Sequence, residues 1–255
     1  MKKLALTLFI LFAPLMAHAA IGLDATSTSG NYTGTTNATA ITITNTQSNL
    51  LLIVTETSWG STAPTISSVV AGGQTMTKAA SKESLGSVSG DSQNYIYYLI
   101  NPPTGTINVT TTWVGSTAGN MTNISSWYGV DQTTPIEATS TNGGTATGNV
   151  TANITTLSSN DVVVDSAFAR ATSTGWSAGT GQTTLFSYQG SNVSGGSYKL
   201  IPTAQTTSTY WVDGKTYWSE VSAALKAVPP PTPTNAALTS AQGTLSVARG
   251  TLTIQ

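Results

Sequence analysis

Thr106-Ile107-Asn108-Val109-Thr110-Thr111-Thr112-Trp113-Val114 is the stretch on which the fold turns. Ile107, Val109, Thr111 and Trp113 fall on one side of an extended chain, and Asn108, Thr110 and Thr112 on the other. That period of two is the signature of a half-buried strand, and it predicts Trp113 in a core. Tyr95-Ile96-Tyr97-Tyr98-Leu99-Ile100 is apolar on both faces, which predicts a central or covered strand. Asp161-Val162-Val163-Val164-Asp165 has the same two-faced character and shows no evident site. Further candidate strands are 40–46, 50–57, 66–71, 74–79, 121–130, 150–156, 183–188, 197–201, 207–212 and 216–227, bounded by Gly, Asn, Pro or Ser. Residues 20 to about 37 read as one short strand and a loose polar segment. No window carries a capped apolar period of 3.6, so no long helix is expected. Many strands without intervening helices predict an all-β, two-sheet antiparallel β-sandwich.

Two turns set the expected pairings. Gly72-Gly73 joins Val69-Val70-Ala71 to Gln74-Thr75-Met76, and both glycines can take positive φ. Asp213-Gly214 joins Tyr210-Trp211-Val212 to Lys215-Thr216-Tyr217-Trp218 and favours a type I′ hairpin. Asn101-Pro102-Pro103-Thr104-Gly105 interrupts the ladder, because proline has no N–H to donate.

The chain begins with Lys2-Lys3, an apolar run Leu4–Met16 and the small–x–small site Ala17-His18-Ala19. This reads as an export signal over 1–19, and the run is too short to span a bilayer core of about 30 Å. A sandwich domain is expected over 20–228, a proline-rich linker over 229–234, and a short β tail over 235–255 that reads as a truncated repeat or a self-association strand. Localisation is therefore expected to be periplasmic or extracellular, without a membrane span.

Beyond the signal there is no histidine and no cysteine, and charged residues are 7% of the chain. Disulfides, His- or Cys-ligated metals and histidine-based nucleophile systems are thereby excluded. With Lys2 and Lys3 removed, seven basic residues face ten acidic ones, which excludes a nucleic-acid-binding stripe. The lack of histidine also predicts stability that changes little between about pH 6 and 8.

In the hairpin, strand parity places Tyr210, Val212, Tyr217 and Val221 inward, and Trp211 and Trp218 diagonally on the other face. With Asp213 and Glu220 beside them, these rings form a candidate platform for stacking a sugar ring. No cofactor is implied. Structural calcium is a candidate at the loop acids Asp91 and Asp131, against the plainer reading of turn-forming aspartates. Glu56 shares parity with Leu50, Leu52 and Val54 and points inward, yet no two acids show a catalytic spacing. The function these residues favour is an exported, non-catalytic recognition or structural module contacting glycans, a cell surface or sister subunits. The alternative is a carboxylate-dependent glycan-active hydrolase.

Ser68-Val69-Val70-Ala71-Gly72-Gly73-Gln74-Thr75-Met76-Thr77-Lys78 and Tyr97-Tyr98-Leu99-Ile100-Asn101-Pro102-Pro103-Thr104-Gly105 resemble a module of secreted bacterial and phage-associated proteins. Tyr128-Gly129-Val130-Asp131-Gln132-Thr133-Thr134-Pro135-Ile136 and Val221-Ser222-Ala223-Ala224-Leu225-Lys226 extend the likeness in the same order, over about residues 38–228. The resemblance implies a jelly-roll-like (concanavalin A-like) β-sandwich and carries over no functional residues. Ala237-Leu238-Thr239-Ser240-Ala241-Gln242-Gly243-Thr244-Leu245 resembles the start of the short β repeats that follow such modules.

N-terminal sequencing of exported protein is expected to begin at or within a residue or two of Ala20. Recovery of an intact Met1 outside the cytoplasm would contradict the signal reading.

Overall fold

A computed structural model describes residues 20–44, 46–60, 64–84, 91–170, 174–214, 217–229, 236–240, 243–248 and 251–254. The expected export signal and all but the first residue of the proline-rich linker lie outside the described residues. What is described is all-β and antiparallel, with no helix among the described residues.

The first sheet is built from β1 (Gly22–Thr28), β2 (Tyr32–Ile43), β3 (Leu51–Gly60), β4 (Thr65–Ala71), β5 (Gln74–Thr75), β6 (Thr77–Ser84), β7 (Asp91–Ile100) and β8 (Gly105–Tyr128). Its order is β5-β4-β8-β3-β7-β6, with β1 and β2 also on β8. The 24-residue β8 holds this sheet together. Its first half pairs with β2 and β4, and its second half with β1 and β3. Gly115–Asn120 would read from sequence as a break between two strands. Instead Gly115, at φ +81°, lets one strand bend while pairing resumes at Thr117 and Gly119. The bend curls the sheet until it is nearly closed. Its concave side holds Leu52, Val54, Val69, Tyr97, Val109, Trp113 and Ile124. Trp113 is thus in the core, as its parity requires. The Gly72-Gly73 turn also forms as read, with φ of +54° and +83° between paired Ala71 and Gln74.

A second sheet comprises β9 (Ile136–Gly144), β11 (Asp161–Arg170), β13 (Thr183–Gln189), β14 (Asn192–Ile201) and β16 (Trp218–Leu225), in the order β13-β14-β11-β16-β9. A third holds β10 (Gly148–Thr155), β12 (Ser177–Ala178) and β15 (Thr206–Gly214), in the order β10-β15-β12. The outer face of the first sheet packs Leu51, Ile53, Ile96 and Trp127 against Val162, Val164, Val221, Ala223 and Leu225 of the second. The rings of Trp127 and Tyr198 meet edge to face across this layer at 5.1 Å. Each such side chain contributes about 1.5–3 kcal/mol by leaving water. A polar bridge crosses the same layer, with Asn94 Nδ2 donating to Ser219 O at 2.8 Å and Ser194 Oγ donating to Thr57 Oγ1 at 3.0 Å. The face-to-face contact expected between two sheets is this one. The curl of the first sheet, and the third sheet covering the back of the second, extend the stack beyond two layers.

Strand β9 escaped the sequence reading, because Asn142-Gly143-Gly144 has turn composition and the segment lacks clean alternation. It pairs along β16 all the same, from Ile136↔Leu225 to Gly144↔Trp218. At the C-terminal end, β17 (Ala236–Ser240), β18 (Gly243–Ala248) and β19 (Thr251–Ile254) make a separate three-stranded antiparallel sheet.

Trp113→Ala and Trp211→Ala are each expected to cost about 3–5 kcal/mol in urea unfolding. Val114→Ala, at a side chain 62% exposed, is expected to stay within about 0.5 kcal/mol. Equal losses at all three positions would contradict the burial assignment.

Candidate functional site

The Asp213-Gly214 hairpin does not form. Strand β15 pairs with β10 and β12 in the third sheet, while β16 pairs with β11 and β9 in the second. The chain crosses between layers here, and Tyr217 takes a left-handed φ of +58° at the crossing. On β15 the predicted facing reverses, with Trp211 fully buried and Val212 38% exposed; on β16 both faces are covered, so Val221 is buried as its parity predicts and Trp218, at 9% exposed, is buried as well. Trp211 stacks on Trp176 with ring centres 5.1 Å apart. A side chain at Gly195 would collide with the Trp211 ring, so the absence of one at that position is what admits the indole. Trp218 Nε1 donates to Ala146 O at 3.1 Å. The two rings are therefore core, and the open aromatic platform is not there. The side chain of Asp213 is outside the described residues. Glu220, expected beside the platform, is fully buried.

Behind that arrangement lies a polar cluster between the second and third sheets, centred on the fully buried Asp165. Asp165 of β11 is paired with Ser197 of β14 on one side and Ser222 of β16 on the other. Its Oδ1 accepts from Trp211 Nε1 and from the Ser197 amide, both at 3.0 Å. Its Oδ2 accepts from the Ser197 hydroxyl in a short hydrogen bond and from Gln182 Nε2 at 3.0 Å. Burial pushes the carboxyl up to about 6, against the pull of these four donors. Glu220, two pairs further along β16, has no hydrogen bond to either carboxyl oxygen. Burial, then the neighbouring Asp165, pushes it well above the usual carboxylate range. The run Asp161–Asp165 held the missed signal: an acid in a strand covered on both faces must find partners.

A third buried acid lies inside the curled first sheet, where Glu56 points inward as its parity predicts. It accepts hydrogen bonds from the hydroxyls of Thr111 and Thr122, and Asn37 Nδ2 donates to Thr122 Oγ1 at 2.9 Å. Burial pushes its carboxyl to about 8.

The exposed counterpart is a groove between the edges of the first two sheets. Lys78, Ala79 and Tyr98 line one wall, and Ile136, Glu137, Ala138 and Thr139 the other, around a hollow of about 360 Å³. Glu137 is fastened at its base. Oε1 accepts from Leu157 N at 2.6 Å and Ser158 N at 3.2 Å, and Oε2 accepts from Ser158 Oγ at 2.8 Å. Asp161 faces it, close enough for the two carboxyls to influence each other's proton affinity. Burial and the facing Glu137 push Asp161 to about 7; against burial of its own, Glu137 is held low by Asp161 and the Leu157–Ser158 donors.

Asp131 forms a turn. Oδ1 accepts from Thr133 N at 2.8 Å and Thr134 N at 3.0 Å, and Oδ2 pairs with Lys226 at 3.4 Å. The side chain of Asp91 is outside the described residues. Among the described residues no three His, Cys, Asp or Glu side chains come together. No family model, curated protein or solved structure matches the chain.

The buried acids lead to an expected dependence of stability on pH even without histidine, in place of the flat profile expected from composition. Asp165, Asp161 and Glu56 all bind protons more tightly folded than unfolded. Their contribution is fully present below the ordinary values of 3.8 for the aspartates and 4.5 for Glu56, and is lost as pH rises through about 6, 7 and 8. The melting temperature is expected to be several degrees higher at pH 5 than at pH 9, and Glu56→Gln should flatten the alkaline part of the fall. A profile level from pH 5 to 9 would show that these carboxyls are not buried as described.

Proposed function

We propose that the chain is an exported, non-catalytic recognition module whose groove at Lys78, Tyr98, Glu137 and Thr139 takes a glycan. The groove is the observation that carries this reading. It sets an aromatic ring and the apolar surface of Ile136 and Ala138 beside an ammonium, a carboxylate and a hydroxyl. A sugar ring stacks on the first kind of surface and engages the second through its hydroxyls. Three of the strongest proton-binding acids, Glu56, Asp165 and Glu220, are sealed in the interior. A glycosidase needs two carboxyl groups reaching the bond across an accessible cleft, so this placement favours binding over hydrolysis. The resemblance to secreted β-sandwich modules and the export signal read from the sequence support the same compartment and the same jelly-roll-like class. No described helix is long and apolar enough to cross a membrane.

A glycan array on the purified protein is the test. Tyr98→Ala is expected to weaken a bound glycan about tenfold, the scale of a lost ring contact. Lys78→Ala should weaken it less, with the circular dichroism of both variants unchanged. Release of reducing sugar from the bound glycan would favour the hydrolase reading instead, and binding indifferent to both substitutions would remove the groove from consideration.

A further inference from the structure

We infer that Ser197 and Gln182 form an intramolecular ester cross-link, made by the protein on itself within the buried cluster of Asp165. This is independent of the groove and of what the groove binds.

Every group that acyl transfer requires is assembled at this point. The nucleophile is the Ser197 hydroxyl, fully buried on β14 and hydrogen-bonded to Asp165 Oδ2. The acyl group is the side-chain carboxamide of Gln182, whose Nε2 donates to Ser197 Oγ at 2.7 Å and so holds the hydroxyl oxygen against the carboxamide. A turn holds Gln182 in place, its own amide donating to Gly179 O at 3.1 Å across Gly181 at φ +78°. The carboxamide oxygen is already polarised, because Tyr210 N donates to Gln182 Oε1 at 2.9 Å. That N–H sits where negative charge develops when a carbonyl is attacked. The base is Asp165, whose Oδ2 touches both the hydroxyl to be deprotonated and, at 3.0 Å, the nitrogen to be expelled. The Trp211 and Ser197 N–H groups hold the other oxygen and fix the carboxylate's orientation.

The step balances without any further reagent. The Ser197 Oγ proton passes to Asp165 Oδ2 as Oγ bonds to Gln182 Cδ, and the negative charge moves onto Oε1 under the Tyr210 N–H. Collapse of this intermediate breaks the Cδ–Nε2 bond. The departing nitrogen takes the proton from Asp165 Oδ2 and leaves as ammonia. The products are an ester between the two side chains, free ammonia and a regenerated Asp165 carboxylate. Ser197 and Asp165 are buried, which limits the approach of water to the ester from the side of the nucleophile and base. The bond closes a loop across the β13–β14 hairpin in a chain with no cysteine to make a disulfide.

Mass spectrometry of the full chain under denaturing conditions tests this directly. The expected mass is lower than that of the sequence by one ammonia. After chymotryptic cleavage at Phe186 or Tyr188, the peptides carrying Gln182 and Ser197 should stay joined, and hydroxylamine should separate them. Ser197→Ala and Gln182→Glu should each show their full calculated mass and melt several degrees lower. A wild-type chain of full calculated mass overturns the proposal whether or not the variants fold. An ammonia deficit that persists in Ser197→Ala, or maps to Asn142-Gly143, overturns it as well.

Discussion

Strand β11 is covered on both faces, and the rest of the molecule is arranged around that constraint. Val162 and Val164 meet the first sheet, while Val163, Ala167 and Ala169 meet the third. A strand in that position reaches no water on either side. Its apolar residues are the easy part, since burial alone stabilises them. Its acids are the hard part, and they organise what surrounds them. Asp165 draws four donors from β14, β15 and the Gly179–Gln182 turn. Asp161 receives the Ala227 N–H and faces Glu137.

The same logic explains why the two tryptophans are inside. Trp211 supplies a donor to Asp165 from the third sheet, so its indole must enter the interface, and Gly195 leaves the space for it. Trp218 enters the same apolar cluster from β16. One indole therefore serves packing and charge satisfaction together. An unpaired buried acid costs far more than a lost apolar contact, which is why the polar residues, rather than the valines, fix how these layers meet. The consequence for chemistry is a division of labour. The interior holds Asp165, Glu220 and Glu56, acids whose burial raises their proton affinity, and the surface groove holds the ring and polar groups suited to contact.

The sequence by itself determined the all-β class, most of the strands, the Gly72-Gly73 turn, the buried faces of Trp113 and Glu56 and the two-faced nature of β7 and β11. All of these follow from local rules: alternation within a strand, and the backbone freedom of glycine in a turn. Only the tertiary structure decided that Asp213-Gly214 joins two different sheets instead of closing a hairpin, and that Gly115 bends one long strand instead of ending it. Only it decided that the polar side of β16 faces another sheet and not water. The physical reason is that alternation reports which residues share a face and says nothing of what covers that face. Trp218, Glu220 and Ser222 share a face by the same period whether it is open or buried. Residues far apart in sequence supplied the cover, and no period of two reaches across that distance.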